Sequence, residues 1–164
     1  VNGVAHSGAR SLRIGPMAGE GKWNVGHVFT DKTLLPGKTY RLSGFYRFED
    51  LDEDDRIWFK LKWRNQSGIT VEDSIIGISV SDDMEATVEH SAVWPIKGIR
   101  TAPEKGTGWI YFSADLVACD TSISTQGANV RYYLQVMVGR YTPKGINQLK
   151  GSIWFDDIEL IPID

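Results

Sequence analysis

Short segments in which apolar and polar residues alternate, separated by turn residues, dominate this sequence. Side chains on a β-strand point to opposite faces with a period of two, so each such segment has one buried and one exposed face. No segment keeps the 3.6-residue period of an amphipathic helix, although residues 81–90 could form a short one. We therefore predict an all-β fold, a two-sheet antiparallel β-sandwich of the jelly-roll type. The strand candidates are residues 10–14, 23–29, 39–48, 56–63, 69–80, 108–116, 130–139 and 152–161.

Composition narrows the class of protein. The chain has 164 residues, 41% of them hydrophobic and 24% charged, which suits a single domain over residues 1–164. A net charge of −3 argues against a nucleic-acid partner, and no apolar run is long enough to insert into a membrane. The single cysteine, Cys119, excludes an intramolecular disulfide. Because the chain begins at Val1 without a signal peptide, we expect it to be excised from a larger protein.

The alternation also predicts which side chains form the core. Leu42 and Tyr46, for example, fall on the apolar side of residues 39–48, whereas Arg41 and Phe45 fall on the opposite side. Applied to every strand candidate, this rule predicts one core. Its members are Leu12, Ile14, Leu42, Tyr46, Phe59, Leu61, Leu134, Val136, Ile158 and Leu160.

Three strand candidates carry aromatic, cationic and amide side chains on their non-core faces. Because these faces lie opposite the predicted core, we expect them to form one exposed surface. The same surface would collect several cations, among them Arg47 and Lys62. Its predicted members are Trp58, Lys60, Tyr133, Gln135, Arg41, Arg131 and Phe45.

The familiar sequence patterns of enzymes are missing. There is no Gly-x-Ser-x-Gly segment, no His-Glu-x-x-His pair and no paired-cysteine zinc pattern. The acidic run 49–55 lacks the glycine and glutamate of an EF-hand loop, so we interpret it as a solvated hairpin tip. We expect no enzymatic activity from the chain itself. One catalytic alternative stays open, a cluster of Tyr133, Arg131 and Lys60.

The segment GSIWFDDIEL, residues 151–160, carries two adjacent aspartates inside a strand candidate. Alternation places Asp156 on the same side as Ile158 and Leu160, which predicts that its carboxylate points toward the buried side. A buried carboxylate needs a cation, an arginine or several N–H donors, because leaving it unpaired costs several kcal/mol.

Five segments together resemble a known superfamily. Their order and spacing are similar to those of jelly-roll carbohydrate-binding modules, in the superfamily that contains families 4, 9, 16 and 22. The resemblance implies a module that binds a polysaccharide and targets an attached glycoside hydrolase or polysaccharide lyase, outside the cell or at its surface. The segments are AHSGARSLRI (5–14), GKTYRLSGFYR (37–47), IRTAPEKGTGWIYF (99–112), YYLQVMVG (132–139) and GSIWFDDIELI (151–161).

The resemblance also implies one structural calcium ion. In that superfamily the aspartate of the closing strand helps to bind calcium, which here corresponds to Asp156, with Ser7 and Arg10 contributing mainly backbone oxygens. The chain departs from the pattern in lacking the usual first strand with a glutamate ligand. The alternative is that Asp156 accepts hydrogen bonds from loop N–H groups or pairs with an arginine.

The expected function is therefore non-catalytic binding of a polysaccharide. Flat aromatic side chains can stack on sugar rings while polar side chains beside them bind the hydroxyl groups. The cations on the predicted surface suggest an acidic glycan. The alternative is a structural jelly-roll domain that packs against a catalytic domain without binding sugar itself.

Overall fold

The protein is described from a computed structural model. It covers residues 3–18, 23–35, 37–64, 70–80, 84–89, 96–117, 133–141 and 148–163. These residues form twelve β-strands and no helix, which confirms the predicted all-β class. The strands are β1 (Leu12–Ile14), β2 (Met17–Ala18), β3 (Trp23–Thr33), β4 (Thr39–Glu49), β5 (Arg56–Arg64), β6 (Thr70–Ser79), β7 (Ala86–Glu89), β8 (Ile96–Pro103), β9 (Ile110–Val117), β10 (Tyr133–Tyr141), β11 (Gln148–Leu149) and β12 (Ser152–Pro162).

Ten of the strands form two five-stranded antiparallel sheets. The first sheet has the order β1-β12-β4-β9-β8, and the second has the order β3-β10-β5-β6-β7. Strands β2 and β11 form a separate two-stranded ribbon. The predicted two-sheet antiparallel β-sandwich is confirmed. Nowhere in the described residues is there a helix with the length and hydrophobicity to cross a membrane.

The hydrophobic core lies between the inner faces of the two sheets. At its centre Phe59 of the second sheet stacks on Phe112 of the first, with ring centroids 4.0 Å apart, and meets Phe155 edge-on at 5.7 Å. Such aromatic pairs contribute about 0.5–1.5 kcal/mol beyond their buried area. Of the predicted core residues only Leu12 lies outside the core, with 36% of its surface exposed. It belongs to β1, the edge strand of the first sheet, which has a neighbouring strand on one side only.

Two segments depart from the predicted secondary structure. Residues 86–89, inside the suggested helix, form the edge strand β7. Strand β8 escaped prediction because its register with β9 shifts between Lys97 and Arg100, where Gly98 has a φ of 60°. An inserted residue of this kind breaks the alternation that marks a strand in the sequence.

A similar bulge in β12 changes the face on which the adjacent aspartates lie. The register with β4 shifts between Asp156 and Glu159, and Asp157 has a φ of 48°. Phe155 lies in the core before the bulge, so Asp156 lies on the outer face, and Leu160 returns to the core after it. The prediction that Asp156 points toward the buried side is therefore wrong, because period-two alternation does not continue through a bulge.

The acidic loop between β4 and β5 is anchored from inside the protein. Asp55 is fully buried, accepts a hydrogen bond from the backbone N–H of Asp52 at 2.8 Å, and forms an ion pair with the buried Arg140. Arg140 also donates to the carbonyl of Lys150. A buried charge is tolerated only with such partners. The interpretation of the whole run as a solvated tip is therefore wrong at its last residue.

Candidate functional site

The outer face of the second sheet carries Trp58 in a closed apolar cluster. Its side chain is only 1% exposed and packs with Ile75 and Met137, and Tyr141 lies against this cluster. Stacking on a sugar requires one face of the ring to be accessible. The predicted stacking of a glycan on Trp58 is therefore incompatible with this structure.

The other predicted residues of this sheet are spread along its strands. Gln135 is buried, Lys60 is half-buried, and both make contacts in the folded protein. Tyr133 lies opposite Arg64, six residues along β10 from the partner of Trp58, which is about 20 Å away at the strand rise per residue. The side chain of Tyr133 and all of Arg131 lie outside the described residues, so the catalytic alternative at this position stays a prediction.

Arg41 and Phe45 belong to β4 and so to the first sheet. Their side chains are on the outer face of the first sheet, whereas those of Trp58 and Lys60 are on the outer face of the second sheet, on the other side of the sandwich. The prediction of a single shared face is therefore wrong. Alternation shows which residues share one face of a strand, but it does not show which strands join the same sheet.

The outer face of the first sheet is organised as rows across β12, β4 and β9. In antiparallel sheets, residues directly opposite one another share a face and their side chains are neighbours. Aromatic and charged side chains therefore alternate with serines over this surface. The rows are Asp156–Phe45–Tyr111, Glu159–Ser43–Ser113 and Ile161–Arg41–Asp115.

A groove of about 590 Å³ lies over these rows. Its lining combines two aromatic rings with carboxylates, a guanidinium group and hydroxyl groups, all from the first sheet and the loop that precedes β1. We call it the β4 groove. Its lining residues are Ser7, Arg41, Ser43, Gly44, Phe45, Tyr111, Asp157, Glu159 and Ile161.

The guanidinium group in the β4 groove is held in place by Asp115. Arg41 Nε donates to Asp115 Oδ1 at 2.7 Å and Nη2 donates to Oδ2 at 3.0 Å, a bidentate pair. These hydrogen bonds and the opposite charges raise the pKa of Arg41 and lower the pKa of Asp115. The pair fixes the orientation of Arg41 and balances its charge.

The loop before β1 contributes Ser7 to the groove lining and packs against Phe45 through His6. The imidazole stacks on Phe45, with centroids 3.5 Å apart and an interplanar angle of 12°. Its Nδ1 lies 2.7 Å from Asp157 Oδ2 and its Nε2 lies 3.4 Å from Glu104 Oε2. Burial opposes protonation of the ring, but the hydrogen bonds and charges of both carboxylates outweigh it and raise the pKa of His6.

The adjacent aspartates of β12 bind this loop. Ser7 Oγ donates to Asp157 Oδ1 at 2.6 Å, and this bond, together with the contact to His6, lowers the pKa of Asp157. Asp156 Oδ2 accepts the backbone N–H groups of His6 at 2.7 Å and Ser7 at 3.3 Å, while its Oδ1 accepts that of Asp157 at 2.9 Å. The alternative explanation, N–H donors from the loop, is thus present in the structure.

The predicted calcium site was assigned to Asp156, Ser7 and Arg10. Calcium is bound by oxygen ligands, whereas the loop directs N–H groups toward Asp156 Oδ2. Within the described ranges no three His, Cys, Asp or Glu side chains form a group that could hold a metal ion. The N–H groups of His6 and Ser7 satisfy Asp156 without a cation, and calcium binding stays a prediction.

Tyr111, Asp157 and Glu159 line the β4 groove but were not among the predicted site residues. Phe112 is a core residue, and alternation in residues 108–116 places its neighbour Tyr111 on the other face of the strand. The sequence therefore carried a signal for Tyr111. Glu159 reaches the same face as Asp156 only because of the bulge. Period-two alternation gives no signal of a bulge at that place.

No protein-family model matches the chain, and no curated protein matches it. The resemblance to carbohydrate-binding modules therefore stays an expectation, and the geometry of the β4 groove is the basis for assigning a function.

Proposed function

We propose that the chain is a non-catalytic carbohydrate-binding module that binds a polysaccharide in the β4 groove. The observation that supports this most is the groove itself, about 590 Å³ in volume, in which two aromatic rings adjoin carboxylates, a guanidinium group and hydroxyl groups. An oligosaccharide presents both apolar C–H faces and hydroxyl groups. The groove offers a partner for each.

The polar side chains of the groove suit hydroxyl groups in both roles. Asp157 and Glu159 accept hydrogen bonds, Arg41 donates them, and Ser7 and Ser43 carry hydroxyls that do either. Arg41 is already oriented by Asp115, and Asp157 is oriented by Ser7 and His6. A site whose groups are held in place before binding loses less conformational entropy on binding, which favours affinity.

Tyr111 is the aromatic ring that we assign to sugar stacking. His6 already covers one face of the Phe45 ring, and Tyr111 meets Phe45 edge-on at a centroid distance of 5.4 Å. Tyr111 is only partly buried and lines the groove. It therefore takes the role that the sequence had assigned to Trp58.

The predicted preference for acidic glycans depended on many cations sharing one face. Arg41 and Lys60 lie on different sheets, and the charge of Arg41 is balanced by Asp115. We therefore propose a polysaccharide ligand but no preference for acidic polysaccharides. This proposal implies an attached polysaccharide-degrading enzyme and an extracellular or cell-surface location, as the resemblance to carbohydrate-binding modules does.

The proposal is tested by affinity electrophoresis in gels that contain neutral or acidic polysaccharides. We expect Tyr111→Ala to weaken binding by about 2- to 12-fold, which corresponds to about 0.5–1.5 kcal/mol for one aromatic contact. Lys60→Ala, on the second sheet, is the control and should bind like the parent. If no polysaccharide retards the parent, or if Tyr111→Ala binds as tightly as the parent, the proposal is wrong.

The alternative, a structural domain without sugar binding, would be favoured by a large apolar outer patch. The large exposed apolar side chains among the described residues lie on β1, on β7, at the end of β12, directly after β12 and in the loop after β3. The alternative becomes the conclusion if no polysaccharide binds. The side chains are Leu12, Leu35, Val88, Ile161 and Ile163.

A further inference from the structure

The charges in the β4 groove are not equally compensated. Arg41 is paired with Asp115, and Asp157 is bound by His6 and Ser7. Glu159 is exposed and lines the groove, and within the described part of the chain it has no ion-pair partner. The groove therefore presents one carboxylate whose charge no neighbouring cation balances.

Cations near Glu159 are either engaged or distant. In its own row it lies opposite Ser43, and the cation of that row, Arg100, lies three strands away, which is about 14 Å at the spacing of neighbouring strands. That separation exceeds the screening length of about 8 Å at physiological ionic strength. Glu159 thus forms no ion pair with Arg100, and Arg41, its diagonal neighbour on β4, is paired with Asp115.

The surroundings of Glu159 suit a sugar unit more than a mobile ion. Ile161, two residues further along β12, is 45% exposed, and Tyr111 lies across the same groove. An apolar side chain and an aromatic ring can contact the C–H surface of a sugar while the carboxylate meets one of its substituents. A uronate unit would bring a second negative charge to this carboxylate.

We infer that the β4 groove selects a glycan with free amino sugars, whose ammonium group is bound by Glu159. An ammonium group donates a charge-assisted hydrogen bond to the carboxylate, and an N-acetylated unit lacks that charge. This inference rests on the proposed function, because it names the class of polysaccharide that the same groove takes. No covalent step is involved.

The test measures by titration calorimetry the binding of three tetrasaccharides of equal length, built from glucosamine, N-acetylglucosamine and galacturonic acid. We expect the parent to bind the glucosamine tetramer about threefold more tightly than the N-acetylated one, as for an exposed ion pair. Glu159→Gln should remove this preference, and added salt should reduce it. The matched control is Glu53→Gln, which removes an exposed carboxylate outside the groove lining and should keep the preference.

Each other outcome overturns a defined part of the argument. Three outcomes would overturn the inference alone. The parent could bind the glucosamine and N-acetylglucosamine tetramers with equal affinity, or it could bind the galacturonate tetramer more tightly than the glucosamine tetramer. Alternatively, Glu159→Gln could lose the same amount of affinity for the glucosamine and the N-acetylglucosamine tetramers. Glycan binding in the β4 groove would then still stand. If the parent binds neither these tetramers nor any polysaccharide in gels, both the inference and the proposed function are wrong.

Discussion

The outer faces of the two sheets have similar sequence patterns and different structures. On the first sheet, Arg41, Glu159 and Tyr111 line an open groove. On the second sheet, Trp58 and Met137 are buried within an apolar cluster outside the main core. An aromatic residue on the non-core side of a strand is therefore a ligand platform only where nothing in the folded chain covers it.

This difference separates two kinds of mutational effect. A buried aromatic side chain contributes mainly to the free energy of unfolding, since its removal leaves a cavity. A half-exposed side chain in a groove contributes little to that free energy but contacts a ligand. Substitutions on the second face should thus change stability, and substitutions on the first face should change binding.

The largest effect is expected for Trp58→Ala. Removing a fully buried tryptophan from its cluster should lower the free energy of unfolding by about 3–5 kcal/mol. Urea denaturation measures this loss, and Trp58→Phe should lose less because it fills more of the cavity. A folded Trp58→Ala protein of parental stability that no longer binds glycans would reverse the roles of the two faces.

The next effect concerns calcium at the rim of the first face. If calcium binds only the folded protein, the gain in stability is about 2.7 kcal/mol when its concentration is one hundred times its dissociation constant. Thermal unfolding with calcium and with chelator measures this gain, and Asp156→Ala should abolish the difference. An unchanged melting curve of the parent in chelator would mean that the loop N–H groups alone satisfy Asp156.

Gly44 provides a smaller effect and links the core to the groove. A methyl group at residue 44 would overlap Ile158, and it would lie 3.2 Å from the carbonyl oxygen of Asp156. Gly44→Ala should therefore lower the free energy of unfolding by about 1–3 kcal/mol, as overpacking does. It should also weaken glycan binding, because the displaced bulge carries Asp157 and Glu159.

The control for this substitution is Gly15→Ala. An added methyl group there meets only the flexible side chain of Arg13 at an ordinary contact distance of 3.6 Å. Its stability in urea should stay near that of the parent. A Gly44→Ala protein as stable as Gly15→Ala would show that the bulge beside Gly44 is not tightly packed.

The sequence predicted the fold well because alternation is a local property of each strand. It placed Leu42, Phe59 and Val136 in the core, and they are there. The site was predicted poorly for two physical reasons. The pairing of strands into sheets depends on contacts distant in sequence, which separated Arg41 from Trp58. A bulge adds a residue without a sequence signal, which moved Asp156 to the outer face.

The smallest expected effect is a dependence of stability on pH that comes from His6. Its imidazole faces two carboxylates, Asp157 from β12 and Glu104 from the loop after β8, and otherwise contacts the rings of Phe45 and Trp109. The pKa of His6 is raised in the folded protein. Its stabilising contribution is therefore complete below the unfolded value of about 6.5 and is lost as pH rises through the higher folded value.

The two carboxylates set the acidic limit of the same contribution. A hydrogen bond from Ser7 lowers the pKa of Asp157, and one from Thr107 lowers the pKa of Glu104, in both cases with a further contribution from His6. Their contribution is present above the unfolded carboxylate pKa values of about 4 and is lost as pH falls through the lower folded pKa values.

In calcium-free buffer, the stability difference between the parent and His6→Gln should hence be largest between about pH 4.5 and 6.5 and shrink toward pH 9. Urea denaturation at several pH values measures this difference. If it stays constant across that range, the two carboxylates do not favour the protonated imidazole, and His6 anchors the loop before β1 through its stacking on Phe45 alone.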